Sequence, residues 1–102
     1  MLLMSVAFRA QTTKRDEVLS AVDDVVARLR HRTGCAHARL FVDTEDADVF
    51  TLLSEFESVD DADQFFTSRE FRVLRGIRMM LRDEPVVVVD DVRSRVTRLV
   101  RD

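Results

Sequence analysis

A chain of 102 residues with 46% hydrophobic and 34% charged residues fits one soluble globular domain with a modest core, and excludes a disordered chain. The lone cysteine, Cys35, excludes an internal disulfide and points to a reducing, cytoplasmic setting. A net charge of −3 argues against nucleic acid as a partner, and no apolar run approaches the roughly 20 residues of a membrane span.

Residues 2–10 are apolar and end at Gln11-Thr12-Thr13. They lack the basic start and small-residue cleavage site of a signal, so they read as a first strand. Thr13, with Asp16 three residues on, resembles a helix-capping box. Val18, Val22, Val25, Val26 and Leu29 then recur at helical spacing, with Asp16, Asp23, Asp24, Arg28 and Arg30 on the wet side. Gly34 offers a left-handed residue to end this segment.

Residues 36–43 and 49–57 read as a hairpin around the acidic turn 44–48. Ser58 with Asp61 marks another helix start, and that helix carries Phe65 and Phe66. A break at Thr67-Ser68 separates it from a further helical piece, 69–81, with Phe71, Leu74, Ile77 and Leu81 inward. Four valines at 86–89, extended by Val92, read as the last strand, buried on both faces. Residues 1–94 form the core of a single domain, and the tail 95–102 receives no assignment.

Charge is unevenly spread. Residues 43–63 hold nine acids and no base. Arg69, Arg72, Arg75, Arg78 and Arg82 follow at spacings of three and four, a stripe on a helix. That stripe reads as a solvated face pairing with the acidic stretch, or as an attractor for an acidic ligand or a nucleic acid backbone. The abundance of Arg, Asp and Val also matches the codon usage of a high-GC bacterial genome.

The order strand, helix, strand, strand, helix, strand is the ferredoxin-like split βαβ arrangement, an α+β fold. Two helices cover one face of a four-stranded sheet. Simple alternation puts Ala7, Cys35, Phe41, Leu53, Val87 and Val89 on the other. That much apolar surface calls for a partner, and a second copy, sheet against sheet, gives a homodimeric α+β barrel.

Within that fold class the chain resembles the antibiotic-biosynthesis-monooxygenase-like (ABM) domains. The carriers are Thr33-Gly34-Cys35, the strand end Leu53-Ser54-Glu55-Phe56-Glu57-Ser58, and Ala62-Asp63-Gln64-Phe65-Phe66 with Ser68-Arg69-Glu70-Phe71. The resemblance implies a dimeric barrel and a ligand cleft between sheet and helices, with Phe56, Phe65, Phe66 and Phe8 as its walls. It also implies a small apolar or aromatic ligand, and cofactor-independent monooxygenation of an aromatic or polyketide-like substrate. The chain departs from the family at Phe56, where a Trp is usual, and near Phe65, where many members carry His. The positions matching those used by haem-degrading relatives are Phe8, Phe65 and Arg75, none of which keeps that chemistry. Tyr and Trp are absent throughout. A non-catalytic dimeric binding module of the same fold therefore stands as the alternative, and a proton-transferring isomerase as a third.

Strand parity supplies candidate polar chemistry. His37 and Arg39 share a face, and Glu55 and Arg9 can join them. An imidazole beside a carboxylate acts as a general base, and arginines hold an enolate oxygen. A solvated edge, or ion pairs that fix the dimer register, is the other reading. Cys35 reads as a buried, inert thiol. There is no paired-Cys spacing, HExxH, Gly-rich phosphate loop or GxSxG, so neither a metal site nor a bound cofactor is expected.

Overall fold

The computed structural model describes residues 1–91. The proposed extension of the last strand to Val92 and the tail 95–102 lie outside the described residues. The elements are β1 (Leu2–Arg9), α1 (Arg15–Leu29), β2 (Cys35–Val42), β3 (Val49–Phe56), α2 (Val59–Phe66), α3 (Arg69–Gly76) and β4 (Val86–Asp91). Short 3-10 turns, Thr12–Lys14 and Ile77–Met80, precede α1 and follow α3. The sheet order is β2-β3-β1-β4 with every pairing antiparallel, which is the ferredoxin-like topology.

Period-two alternation sets the two faces of the sheet. Met4, Val6 and Phe8 on β1 and Phe50, Leu52, Ser54 and Phe56 on β3 turn toward the helices and are buried. From α1 come Val18, Val22, Val25, Val26 and Leu29, all buried, so its valine stripe closes the core over the sheet. Phe65 is fully buried, with ring centroids 5.6 Å from Phe56, 5.9 Å from Phe66 and 5.6 Å from Phe71. Truncating such a ring to Ala costs about 3–5 kcal/mol.

Three local expectations are corrected. Thr13 does not cap α1: it lies inside the 3-10 turn, and Lys14 occupies the cap position with no side-chain bond. The end of the Arg-rich segment tightens from α-helix into a 3-10 turn at Ile77, so the α-helical part stops at Gly76. Val87 and Val89 stand opposite Val6 and Met4, on the helix side. Val86 and Val88, opposite Ala7 and Ser5, take the open face instead.

Cys35 also moves to the helix side. An extra residue, Ala36, bulges between Cys35 and His37, so parity flips there and Cys35 packs against the core beside Phe56. All four valines of β4 remain substantially exposed, so the expectation that burial covers both faces of this strand does not hold in the single chain.

The β2 entry is fixed by Gly34, the one left-handed residue among the described residues, at φ 86°. Its carbonyl accepts the Glu57 N–H at 2.9 Å. Ser58 caps α2 as the sequence indicates: its Oγ accepts the Asp61 N–H at 3.2 Å and donates to Asp61 Oδ2 at 2.7 Å. Ser68 repeats the motif at α3 by accepting the Phe71 N–H.

Candidate functional site

The sheet divides the candidate residues between its two faces. On the open face His37 and Glu55 are direct cross-strand partners, and Arg39 stands opposite Leu53 one step along. These residues line a shallow groove of about 250 Å³ with Ser54. Arg9 shares that face but sits opposite Val49, six residues along β3 from Glu55. At roughly 3.3 Å per residue this is about 20 Å away. Arg9 is instead 3.7 Å from the Asp83 carboxylate. The structure therefore brings His37, Arg39 and Glu55 together and leaves Arg9 out.

A cavity opens on the other side of the sheet, between α3 and the β1–β4 edge. Its volume is about 640 Å³. Val6 and Phe8 from β1, Val87 from β4, Phe71 and Leu74 from α3 and Pro85 form an apolar lining. Arg72, Arg75, Arg78 and Glu84 supply its charged groups, and Gly76 leaves open space at the end of α3. A volume of this size suits a drug-sized molecule.

Of the four expected wall residues, Phe8 lines this cavity. Phe56 and Phe65 do not, because both are packed solid in the ring cluster behind it. Phe66 closes that cluster against Phe71 at 5.1 Å, edge to face, and is likewise outside the lining. Phe71 joins the two regions: one side meets the cluster, the other the cavity. Sequence reasoning missed Arg72, Arg75, Pro85 and Val87 as cavity residues. The signal for the arginines was their interleaving with Phe71 and Leu74. It becomes meaningful only when β4 is placed across from α3.

The arginine stripe is not one uniform face. Arg82 donates to Asp48 Oδ2 at 3.0 Å and to Thr12 Oγ1 at 2.7 Å, which ties the end of the stripe to the acidic turn. Arg78 is paired with Glu84. Arg72 and Arg75 have no side-chain partner among the described residues.

Burial pushes the Cys35 thiol up, outweighing the nearby Arg32, and the thiol donates to the His37 carbonyl, a bond that only its protonated form makes. A thiol held in this form is a poor nucleophile. Among the described residues, no three His, Cys, Asp or Glu side chains cluster to hold a metal ion. None of the described helices is long and apolar enough to cross a membrane.

The fold agrees with the comparisons to known proteins. The family profile "Antibiotic biosynthesis monooxygenase" matches residues 1–76, and the chain belongs to this ABM family. A crystal structure of an antibiotic biosynthesis monooxygenase, 25% identical, covers 89% of this chain and 97% of its own, with a TM-score of 0.82. A conserved Methanosarcina mazei protein, 16% identical, superposes with a TM-score of 0.81 over 87% of this chain and 89% of its own. A Mycobacterium tuberculosis protein, 15% identical, does so with a TM-score of 0.82 over 88% and 92%. No curated protein matches the chain closely in sequence.

Proposed function

We propose that this chain is a homodimeric ABM protein that holds a flat, apolar small molecule in the α3–β4 cavity. Its reaction is cofactor-independent monooxygenation of an aromatic or polyketide-like substrate. The cavity carries this reading: about 640 Å³, walled by Phe8, Phe71, Val6, Leu74, Pro85 and Val87, it fits a fused-ring molecule better than a polar metabolite. The likeness to an antibiotic biosynthesis monooxygenase, 25% identical, points the same way.

The chemistry balances without an external reductant. An activated methylene loses a proton, and the resulting carbanion reduces O2. The carbon becomes a carbonyl, and the second oxygen atom leaves as water. What the protein supplies is an apolar wall and a place for the negative charge.

The open sheet face belongs to this reading as the dimer interface. Phe41, Leu53, Val86 and Val88 give it apolar surface, and His37, Arg39 and Glu55 give one end a polar row. In this arrangement the polar row fixes the register of the two sheets. A catalytic part for His37 and Glu55 would require a second ligand in the interface groove, since the sheet separates them from the cavity. The free Cys35 is consistent with a reducing bacterial cytoplasm.

One observation favours the alternative, a binding module without turnover: among the described residues the only acid of the cavity lining, Glu84, is paired to Arg78, and none of the lining is histidine. Oxygen uptake with 1,8-dihydroxyanthrone separates the two. One O2 consumed per carbonyl formed, well above the spontaneous rate, supports the monooxygenase. No uptake, with a raised melting temperature, supports the binding module.

A further inference from the structure

We propose that the ligand of the α3–β4 cavity is an anion: a flat apolar body bearing a carboxylate or an ionised enol or phenol, whose charge is held by Arg72 and Arg75. This rests on the reading of that cavity as the ligand site.

The chain has more acids than bases, 19 against 16, so an arginine does not lack a partner for want of carboxylates. Six of the eleven arginines in the described residues find one: Arg9 takes Asp83, Arg15 takes Asp16, Arg28 takes Asp24, Arg32 takes Glu70, Arg78 takes Glu84 and Arg82 takes Asp48. Arg30, Arg39 and Arg69, which find none there, lie outside the cavity lining. Arg72 and Arg75 line the cavity and take none among the described residues.

Their spacing puts both guanidiniums on one side of α3, one turn apart, and the same stretch sends Phe71 and Leu74 into the apolar wall. A ligand seated on that wall meets two forked donors together. Guanidinium groups match planar anionic oxygens in two-bond geometry.

The Arg78–Glu84 pair is internally neutral and leaves the excess positive charge to these two residues. A chain of net charge −3 does not draw anions to its surface at large, so this local field selects where an anion goes. It also answers the missing base. Since no unpaired carboxylate or imidazole among the described residues lines the cavity, the substrate enters already ionised, and the arginines lower the free energy of that form.

The test is a fluorescence titration of the full chain with 9-anthracenecarboxylate and its neutral isostere 9-anthracenecarboxamide. The carboxylate is expected to bind about 10-fold to 100-fold more tightly, the range set by hydrogen bonds to charged groups. The Arg72→Gln/Arg75→Gln double variant should lose that preference while binding the amide as before. Arg69→Gln, on the same helix but outside the lining, should keep it. Equal binding of both probes by the unaltered chain, or a preference that survives the double variant, overturns the anion assignment and leaves the ligand site standing. Failure of both probes to bind overturns the cavity as a site for ligands of this class, and the proposal with it.

Discussion

His37 and Glu55 stand directly opposite each other in the β2–β3 ladder, on the face of the sheet turned away from the cavity. Like Arg39 beside them, they have no ion pair among the described residues. An imidazole and a carboxylate left at the end of an apolar sheet face are well placed to meet a second copy.

Leu53, half-buried in the middle of that face between Ser5 and Arg39, tests the dimer. Leu53→Glu puts a charge where the single chain meets water and where a dimer would bury it. Sedimentation should show a micromolar dimer for the unaltered chain. The variant should stay folded by circular dichroism and shift to monomer, with association weakened about 100-fold or more. A monomeric unaltered chain would remove the sheet-to-sheet dimer.

Much of this architecture was legible because its causes are local. The valine stripe of α1, the Ser58–Asp61 cap and the strand order each follow from spacings of two, three or four residues. The faces of β2 and β4 were not legible, for a physical reason. One bulged residue, Ala36, inverts the parity of Cys35, and four consecutive valines give β4 no pattern from which to choose a register. The site was split for the same reason. The strand part of its apolar wall, Val6, Phe8 and Val87, and its supposed polar residues lie in the same sheet, and only the register shows that they occupy opposite faces.

Gly76 ends α3 with helical backbone, and a β-carbon there would meet nothing within 4 Å. Glycine in that conformation loses more freedom on folding than alanine. Gly76→Ala should therefore raise stability by about 0.5–1 kcal/mol, seen as a later urea midpoint with an unchanged slope. An earlier midpoint would show that the turn into the 3-10 segment needs glycine's freedom.

Gly34 behaves oppositely. Its φ of 86° is strained for other residues, and an added β-carbon would lie 2.3 Å from the Asp61 carboxyl carbon. Gly34→Ala should destabilise by about 2 kcal/mol or more, since backbone strain adds to displacement of the α2 cap. The double variant Gly34→Ala/Asp61→Ala removes the carboxyl overlap, leaves the residue-61 β-carbon 2.8 Å away and keeps the strain. Its loss should be less than the sum of the two single losses, and strict additivity would refute the contact.

Glu70 carries a pH-dependent part of the stability. Its carboxyl is held below the usual carboxylate range chiefly by its own backbone N–H at the α3 start. The Ser68 hydroxyl and Arg32, 3.5 Å away, act in the same direction, and partial burial opposes them. A depressed folded value means the stabilisation is complete above the unfolded value of about 4.3 and disappears as pH falls through the folded one. Glu70→Gln should therefore be less stable than the unaltered chain at pH 7, by at most about 1 kcal/mol for a group at this helix end. The two melting temperatures should converge as pH drops below about 4. A constant gap across that range would assign the loss to packing instead.

Ser54 is fully buried on β3 between Met4 and Ala38, and its hydroxyl finds no hydrogen-bond partner among the described residues. An orphaned hydroxyl in an apolar layer gives up its water and gains nothing in exchange. Ser54→Ala removes that oxygen without changing the backbone or opening a large void. The expected change is an increase in stability of about 1 kcal/mol, and Ser54→Val tests the space itself. If alanine instead destabilises the chain by more than about 1 kcal/mol, the hydroxyl has a bonding partner, such as an ordered buried water, and Ser54 would count as part of a satisfied polar contact.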